Sequence, residues 1–296
     1  MADEQKESFT DISRRDFVTL SVTAAAGLAV GTGTSSEAAV AVVEENVTIK
    51  TADGMCDAAF IHPTTGTYPA VLIWPDAFGL RPVMREIGKR IAGEGYSVLV
   101  PNPFYRLAKA PVFDDPSKFN FANPADMAKL QPLMGSINAP GAAERDATAF
   151  IAWLDTQRQV DKAKKVGTQG YCMGGPLVVK TAATVPNRVG AGASFHGGGL
   201  VTDMPTSPHL LAPKIKARMY FGVAANDDMR QPDAKVKLKE AFAAAKVPAE
   251  VEVYGSQHGW CIRDMPLGDG GKPIYNMPDA EKAWSKLVAL YKTALA

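Results

Sequence analysis

Short, continuous apolar runs punctuate the chain and are separated by segments whose apolar residues recur at helical spacing. Ala70-Val71-Leu72-Ile73-Trp74 and Ser97-Val98-Leu99-Val100-Pro101 have no polar alternation, the pattern of strands buried on both faces of a parallel sheet. Lys165 to Gln169, Gly190 to Phe195, Arg218 to Gly222 and Ala249 to Tyr254 read the same way. Asn46 to Lys50 and Cys56 to Ile61, joined through Ala52-Asp53-Gly54, predict an antiparallel hairpin at a sheet edge. Between the runs, Pro82 to Glu94 places Val83, Ile87 and Ile91 on one helical face. Ala142 to Gln157, Pro232 to Ala245 and Asp279 to Leu295 are likewise helical. Strands alternating with helices predict an α/β fold: a three-layer α/β/α sandwich around a mostly parallel, doubly wound sheet.

The pattern fails in two places. Residues 1–41 carry adjacent arginines in Ser13-Arg14-Arg15-Asp16-Phe17, then a mildly apolar run from Val18 to Val30, then Ala39-Val40-Ala41. This resembles a twin-arginine export signal with a small-residue cleavage site, which predicts a periplasmic protein that passes the twin-arginine machinery. The run is short and rich in Ala, Gly and Thr, so no stable membrane span is expected. The folded domain is placed at residues 45–296. From Asn102 to Pro140 the helical and strand periods give way to Pro, Phe and Met, and an insertion of that kind reads as a lid or binding loop.

Composition narrows the function. A formal charge of +1 over 296 residues, with basic residues scattered, gives no support to nucleic-acid binding. Three cysteines, Cys56, Cys172 and Cys261, are too few for a disulfide framework, although a Cys56–Cys261 bridge remains open. Four histidines without ligand-like spacing predict no metal site, and no cofactor is expected. The oligomeric state is not legible.

The chemistry gathers at strand ends. Gly170-Tyr171-Cys172-Met173-Gly174-Gly175 lies between a strand and a helix, the pattern of a nucleophile elbow, with small residues two positions either side of the apex. Cys172 is the candidate nucleophile, its thiolate favoured by the helix N-terminus. Asp227 or Asp228, after a later strand, and His258, after the last, complete a nucleophile–acid–base order. Asp227 is the preferred acid. The elbow geometry points to the backbone N–H of Met173 and that of Ala77 as oxyanion donors. His196, opening His196-Gly197-Gly198-Gly199, follows the nucleophile instead of preceding it and is read as a strand-end turn lining the pocket.

These residues resemble the dienelactone hydrolase (carboxymethylenebutenolidase) family. Gly170 to Gly175, the Asp227 region, Gln257-His258-Gly259-Trp260 and Phe78-Gly79-Leu80 with Met84-Arg85-Glu86 carry the resemblance, from about Val47 to Leu295. It implies a hydrolase of a small ester or lactone, working by a Cys-His-Asp triad through a thioester. It also implies that Asp76, standing where the family has glutamate, pairs with the resting thiol. Arg263, and Arg106 by its charge and position, are the candidates for holding an anionic group, with Trp260 lining the same pocket. A general carboxylesterase or acyltransferase on the same scaffold, or a non-catalytic periplasmic binding protein, are the competing readings.

Overall fold

A computed structural model describes residues 40–296; the predicted export signal lies almost wholly outside them. One sheet of eight strands is formed by β1 (Val42–Thr51), β2 (Gly54–Pro63), β3 (Ala70–Trp74), β4 (Ser97–Pro101), β5 (Val166–Tyr171), β6 (Val189–Phe195), β7 (Arg218–Val223) and β8 (Ala249–Val253), in the spatial order β1-β2-β4-β3-β5-β6-β7-β8. The β1–β2 hairpin is antiparallel, β2 pairs antiparallel with β4, and every later pairing is parallel. Strands β3, β4 and β5 are buried along their whole length, which accounts for the lack of polar alternation in β3 and β4.

Among the described residues, seven α-helices accompany the sheet: α1 (Pro82–Gly93), α2 (Pro124–Asn138), α3 (Ala142–Leu154), α4 (Gly174–Thr184), α5 (Ala225–Arg230), α6 (Ala234–Ala244) and α7 (Met277–Ala294). The two-residue period of β5 assigns layers. Gln169 accepts a hydrogen bond from the Tyr291 hydroxyl of α7 at 3.1 Å, whereas Gly170, on the opposite face, meets Gly174 and Val178 of α4. Trp74 of β3 shares that second face, its indole N–H donating to Thr181 of α4 at 2.9 Å. Helices α1 and α7 are tied by the Arg90–Glu281 pair, and Arg90 lies over the Trp284 ring.

The insertion departs from expectation by containing a helix. Asn123 caps α2 by accepting from the Ala125 N–H at 2.8 Å, with Pro124 in the first turn where its missing N–H costs nothing. Pro132 and Gly135 inside the helix, with buried residues only at Leu130 and Ile137, hide its period. The insertion's aromatic residues close on Phe78: Phe113, Phe119 and Phe121 all lie with ring centroids within 5.9 Å of it. The cluster therefore packs on the loop between β3 and α1. All three cysteines are free, so the open Cys56–Cys261 bridge is not formed; Cys56 is buried beside Asn102 at the strand edge.

The junction of β5 and α4 is the tightest in the fold. A methyl group on Gly170 would overlap the Gly174 carbonyl, and one on Gly174 would overlap the Trp74 carbonyl of β3, both being backbone that cannot yield. Gly135 in α2 has open space around it. Gly170→Ala is expected to lower stability by about 3 kcal/mol or more through overpacking. Gly135→Ala should raise it by about 0.5–1 kcal/mol through helix propensity. Thermal unfolding of the two variants checks the contrast.

Candidate active site

The sharp turn after β5 puts Cys172 in the left-handed region, φ 52°, where a side chain is strained. Its neighbours hold it there. The Cys172 N–H is shared between the Phe195 carbonyl and His196 Nδ1, each at 3.1 Å, and its carbonyl accepts from the Gly175 N–H at 3.0 Å. The thiol is half-buried at the start of α4, where the helix dipole favours negative charge. Among the described residues, neither the Met173 N–H nor the Ala77 N–H has a backbone or side-chain acceptor.

Strands β7 and β8 deliver the other two groups. Beyond β7 the chain enters α5, a single short helix in which the neighbouring aspartates diverge. Asp227 Oδ2 lies 2.6 Å from His258 Nδ1, whereas Asp228 pairs with Lys235 at 2.7 Å. The Asn226 side chain accepts the His258 backbone N–H at 2.8 Å, and the Ala225 N–H reaches Ser256 at 2.9 Å, so the two loops are stitched together. Burial alone would depress the His258 pKa. Hydrogen bonding and charge attraction to Asp227 and to the Cys172 sulfur outweigh it and raise the value to about 10. The structure thus brings Cys172, His258 and Asp227 together, with Asp228 outside the group.

His196 and Trp260 are placed beneath these residues, and both are fully buried, so neither offers surface to a substrate. That corrects the expectation that they line the pocket. The His196 ring lies 5.0 Å from those of His258 and Trp260. Because Nδ1 accepts the Cys172 N–H, the imidazole is neutral with its proton on Nε2, an atom without a partner among the described residues. Burial and the nearby His258 charge push its pKa well below the ordinary range.

The arginines are arranged differently from expectation. Asp76 does not pair with the thiol: Oδ1 accepts from Arg81 at 2.7 Å and from the Phe78 N–H at 2.9 Å, and Oδ2 accepts from Arg81 at 2.9 Å. The same guanidinium forks onto Asp264, at 2.8 and 2.7 Å. Arg81 is 2% exposed, so this is a buried pair of bidentate contacts joining the β3–α1 loop to the loop that follows His258. Arg81, five residues on in the same loop, meets both Asp76 oxygens and so takes the carboxylate. Sequence reasoning missed Arg81; its one signal is a charged residue squeezed between an apolar turn and a helix-starting proline.

Arg106 is likewise committed elsewhere. It binds Asp53 of the β1–β2 turn at 2.6 Å and Asp146 of α3 at 2.7 Å, under Tyr105, and holds those elements together. Arg263 lies over Tyr275 and borders a cavity of about 100 Å³ between α1 and α7, which Cys172 and His258 do not line. Cys261 faces that cavity too, its thiol pushed up by burial. Among the described residues no cluster of His, Cys, Asp or Glu suits a metal ion, and no helix is long and apolar enough to cross a membrane.

A relative from Synechocystis sp. is 29% identical over 237 residues, covering 78% of this chain and 88% of its own length. The carboxymethylenebutenolidase of Rhodococcus opacus is 26% identical over 198 residues, 66% of this chain and 71% of the relative. Among solved structures, a dienelactone hydrolase-like promiscuous phosphotriesterase from metagenomic libraries superposes with a TM-score of 0.70 at 24% identity, covering 86% of this chain and 100% of that one. An acylaminoacyl peptidase from Pyrococcus horikoshii gives a TM-score of 0.62 at 14% identity, covering 86% of this chain and 42% of that one, so the α/β-hydrolase fold is shared. The family model for the dienelactone hydrolase family matches residues 56–295, and the chain is a hydrolase belonging to that family.

Proposed function

We propose that the protein hydrolyses a carboxylic ester or lactone through a thioester on Cys172. The observation that carries this reading is the 2.6 Å contact of His258 with Asp227, formed beside a thiol that stands at a strained elbow. The Cys172 thiol gives its proton to His258, and the sulfur acts as a thiolate. The sulfur attacks the acyl carbon, and the carbonyl π electrons move to oxygen, where the N–H groups of Met173 and Ala77 receive the charge. Collapse breaks the acyl–oxygen bond, and His258 Nε2 gives its proton to the leaving alkoxide. A water molecule then gives a proton to His258 as its oxygen attacks the thioester carbon; collapse releases the acid and restores the thiolate. With a lactone the alcohol and the acid are one molecule. Asp227 fixes the proton on Nδ1, so that Nε2 faces the reacting atoms.

A non-catalytic binding role is less well supported, because a binder has no use for an acid, an imidazole and a thiol aligned at three separate strand ends. Unlike a buried structural pair, this group includes strained backbone at its centre, which costs about 1–3 kcal/mol wherever it is kept.

The two aspartates separate the reading from its rivals. Asp227→Asn is expected to cut kcat by about a thousandfold or more, because the imidazole loses its orienting anion. Asp228→Asn, which disturbs only the Lys235 pair, should leave kcat close to that of the parent; steady-state hydrolysis of p-nitrophenyl acetate compares them.

The His258 proton gives a second test. Its folded pKa of about 10 lies above the ordinary value of 6.5, so the stabilisation it brings is fully present below pH 6.5 and is lost as pH rises through about 10. In Cys172→Ala one of the two raising partners is gone, and the His258 titration seen by NMR should move down from about 10. An unchanged titration would separate the thiol from the imidazole and remove the basis for the ion pair.

A further inference from the structure

We infer that His196 is a positioning residue for the reaction: its Nδ1 holds the Cys172 backbone at the tilt that aims the thiol. The inference rests on the proposed hydrolysis at Cys172 and concerns what fixes that residue. In the parallel register of β5 and β6, Tyr171 lies opposite Phe195, so Cys172 and His196 are the next residues on the two strands. Both leave the sheet in the left-handed region, at φ 52° and φ 40°. Strained backbone of this kind persists only where its surroundings over-determine it. Just beyond, the two turns meet as bare backbone: a methyl group on Gly175 would stand 2.6 Å from the Gly197 Cα. The start of α4 and the turn after β6 are therefore pressed together, with Cys172 and His196 on either side of the contact.

The Phe195 carbonyl would satisfy the Cys172 N–H by itself at 3.1 Å. His196 Nδ1 makes it a three-centre bond, and a donor held by two acceptors has less freedom to tilt. The His196 backbone is fixed in turn, its N–H donating to the Gly222 carbonyl of β7 at 2.8 Å. Among the described residues Nε2 has no partner, so the bond to Cys172 is the one the ring makes. A buried imidazole with an unmet donor is costly where an apolar side chain would pack without that loss. Packing alone thus gives no reason for histidine at this position, whereas an acceptor beside the Cys172 N–H does. Burial and the His258 charge keep the ring neutral, which leaves Nδ1 able to accept. The ring also lies 5.0 Å from that of His258, so the side chain that tilts the thiol backs the imidazole that receives its proton.

Asparagine and leucine have nearly the same shape, and asparagine carries an acceptor bonded to Cγ as Nδ1 is. Comparing His196→Asn with His196→Leu therefore separates the hydrogen bond from the volume of the ring. Hydrolysis of p-nitrophenyl acetate is measured on the full chain, with the folded fraction of each variant taken from its thermal unfolding curve. In His196→Leu, kcat and kcat/KM are expected to fall together by about ten- to a hundredfold, as a loss of orientation requires, and His196→Asn should recover most of that loss. Long-range proton–nitrogen NMR spectra of the unsubstituted protein should place the His196 proton on Nε2, a readout that stands if the leucine variant folds poorly. Equal rates in the two variants overturn the inference, as does a proton on Nδ1. Absence of turnover in the parent chain, or turnover that survives Cys172→Ala, removes the thiol hydrolysis underneath it and overturns both.

Discussion

The close approach of β5, the start of α4 and the end of β3 is the constraint on which the site depends. Bare backbone at Gly170 and Gly174 lets a strand, a helix and a neighbouring strand's carbonyl occupy space that side chains would fill. The chain between them must turn so sharply that Cys172 is driven to φ 52°, and the thiol is thereby lifted clear of the sheet. Two further consequences follow from the same contact. The α4 N-terminus lies under the sulfur, and the β3–α1 loop with Ala77 is brought beside it. Parallel register does the rest, since β5, β6, β7 and β8 all end on the side where Cys172, His196, Asp227 and His258 are needed.

Charge is organised in two layers around this contact. Asp227 and His258 make a partly exposed pair next to the thiol, where a proton can move. Farther in, Arg81 is fixed between Asp76 and Asp264 with almost no exposure, and such a pair is costly to break, about 3–5 kcal/mol if one partner is removed. The inner layer ties the loop bearing Ala77 to the loop bearing His258, so that the proposed oxyanion donor and the imidazole belong to one rigid unit. Asp76, held by Arg81 and the Phe78 N–H, is thus a scaffold element and not a partner of the thiol. His196 supplies the remaining restraint, its neutral ring accepting the Cys172 N–H and packing against His258.

The strands and the order of elements were legible because burial on both faces leaves an unmistakable apolar run, as in Ala70 to Trp74. The elbow was legible because so few residues fit its geometry. Asp227 and Asp228 could not be separated by spacing alone: along a helix adjacent side chains point about 100° apart, and only the fold shows which one faces His258. The α2 helix stayed hidden because Pro132 and Gly135 interrupt its pattern and tertiary packing, not propensity, sustains it. Arg106 and Asp76 were misread for a common reason. Their partners, Asp53 and Asp146 for one and Arg81 for the other, are chosen by loops that meet in space, and nothing in local sequence records which carboxylate a guanidinium will find. Full burial of His196 and Trp260 was missed because a motif beside a catalytic residue says nothing about which side of it faces water.

The central claim is that Cys172 carries the acyl group. Rapid acid quench of the protein during turnover of p-nitrophenyl acetate, followed by intact-mass and peptide-mass analysis, measures it directly. The account predicts one acetyl group on the peptide containing Cys172, released as the ester is exhausted and absent in Cys172→Ala. Steady hydrolysis with no acyl adduct, or an adduct on any other residue, would contradict it.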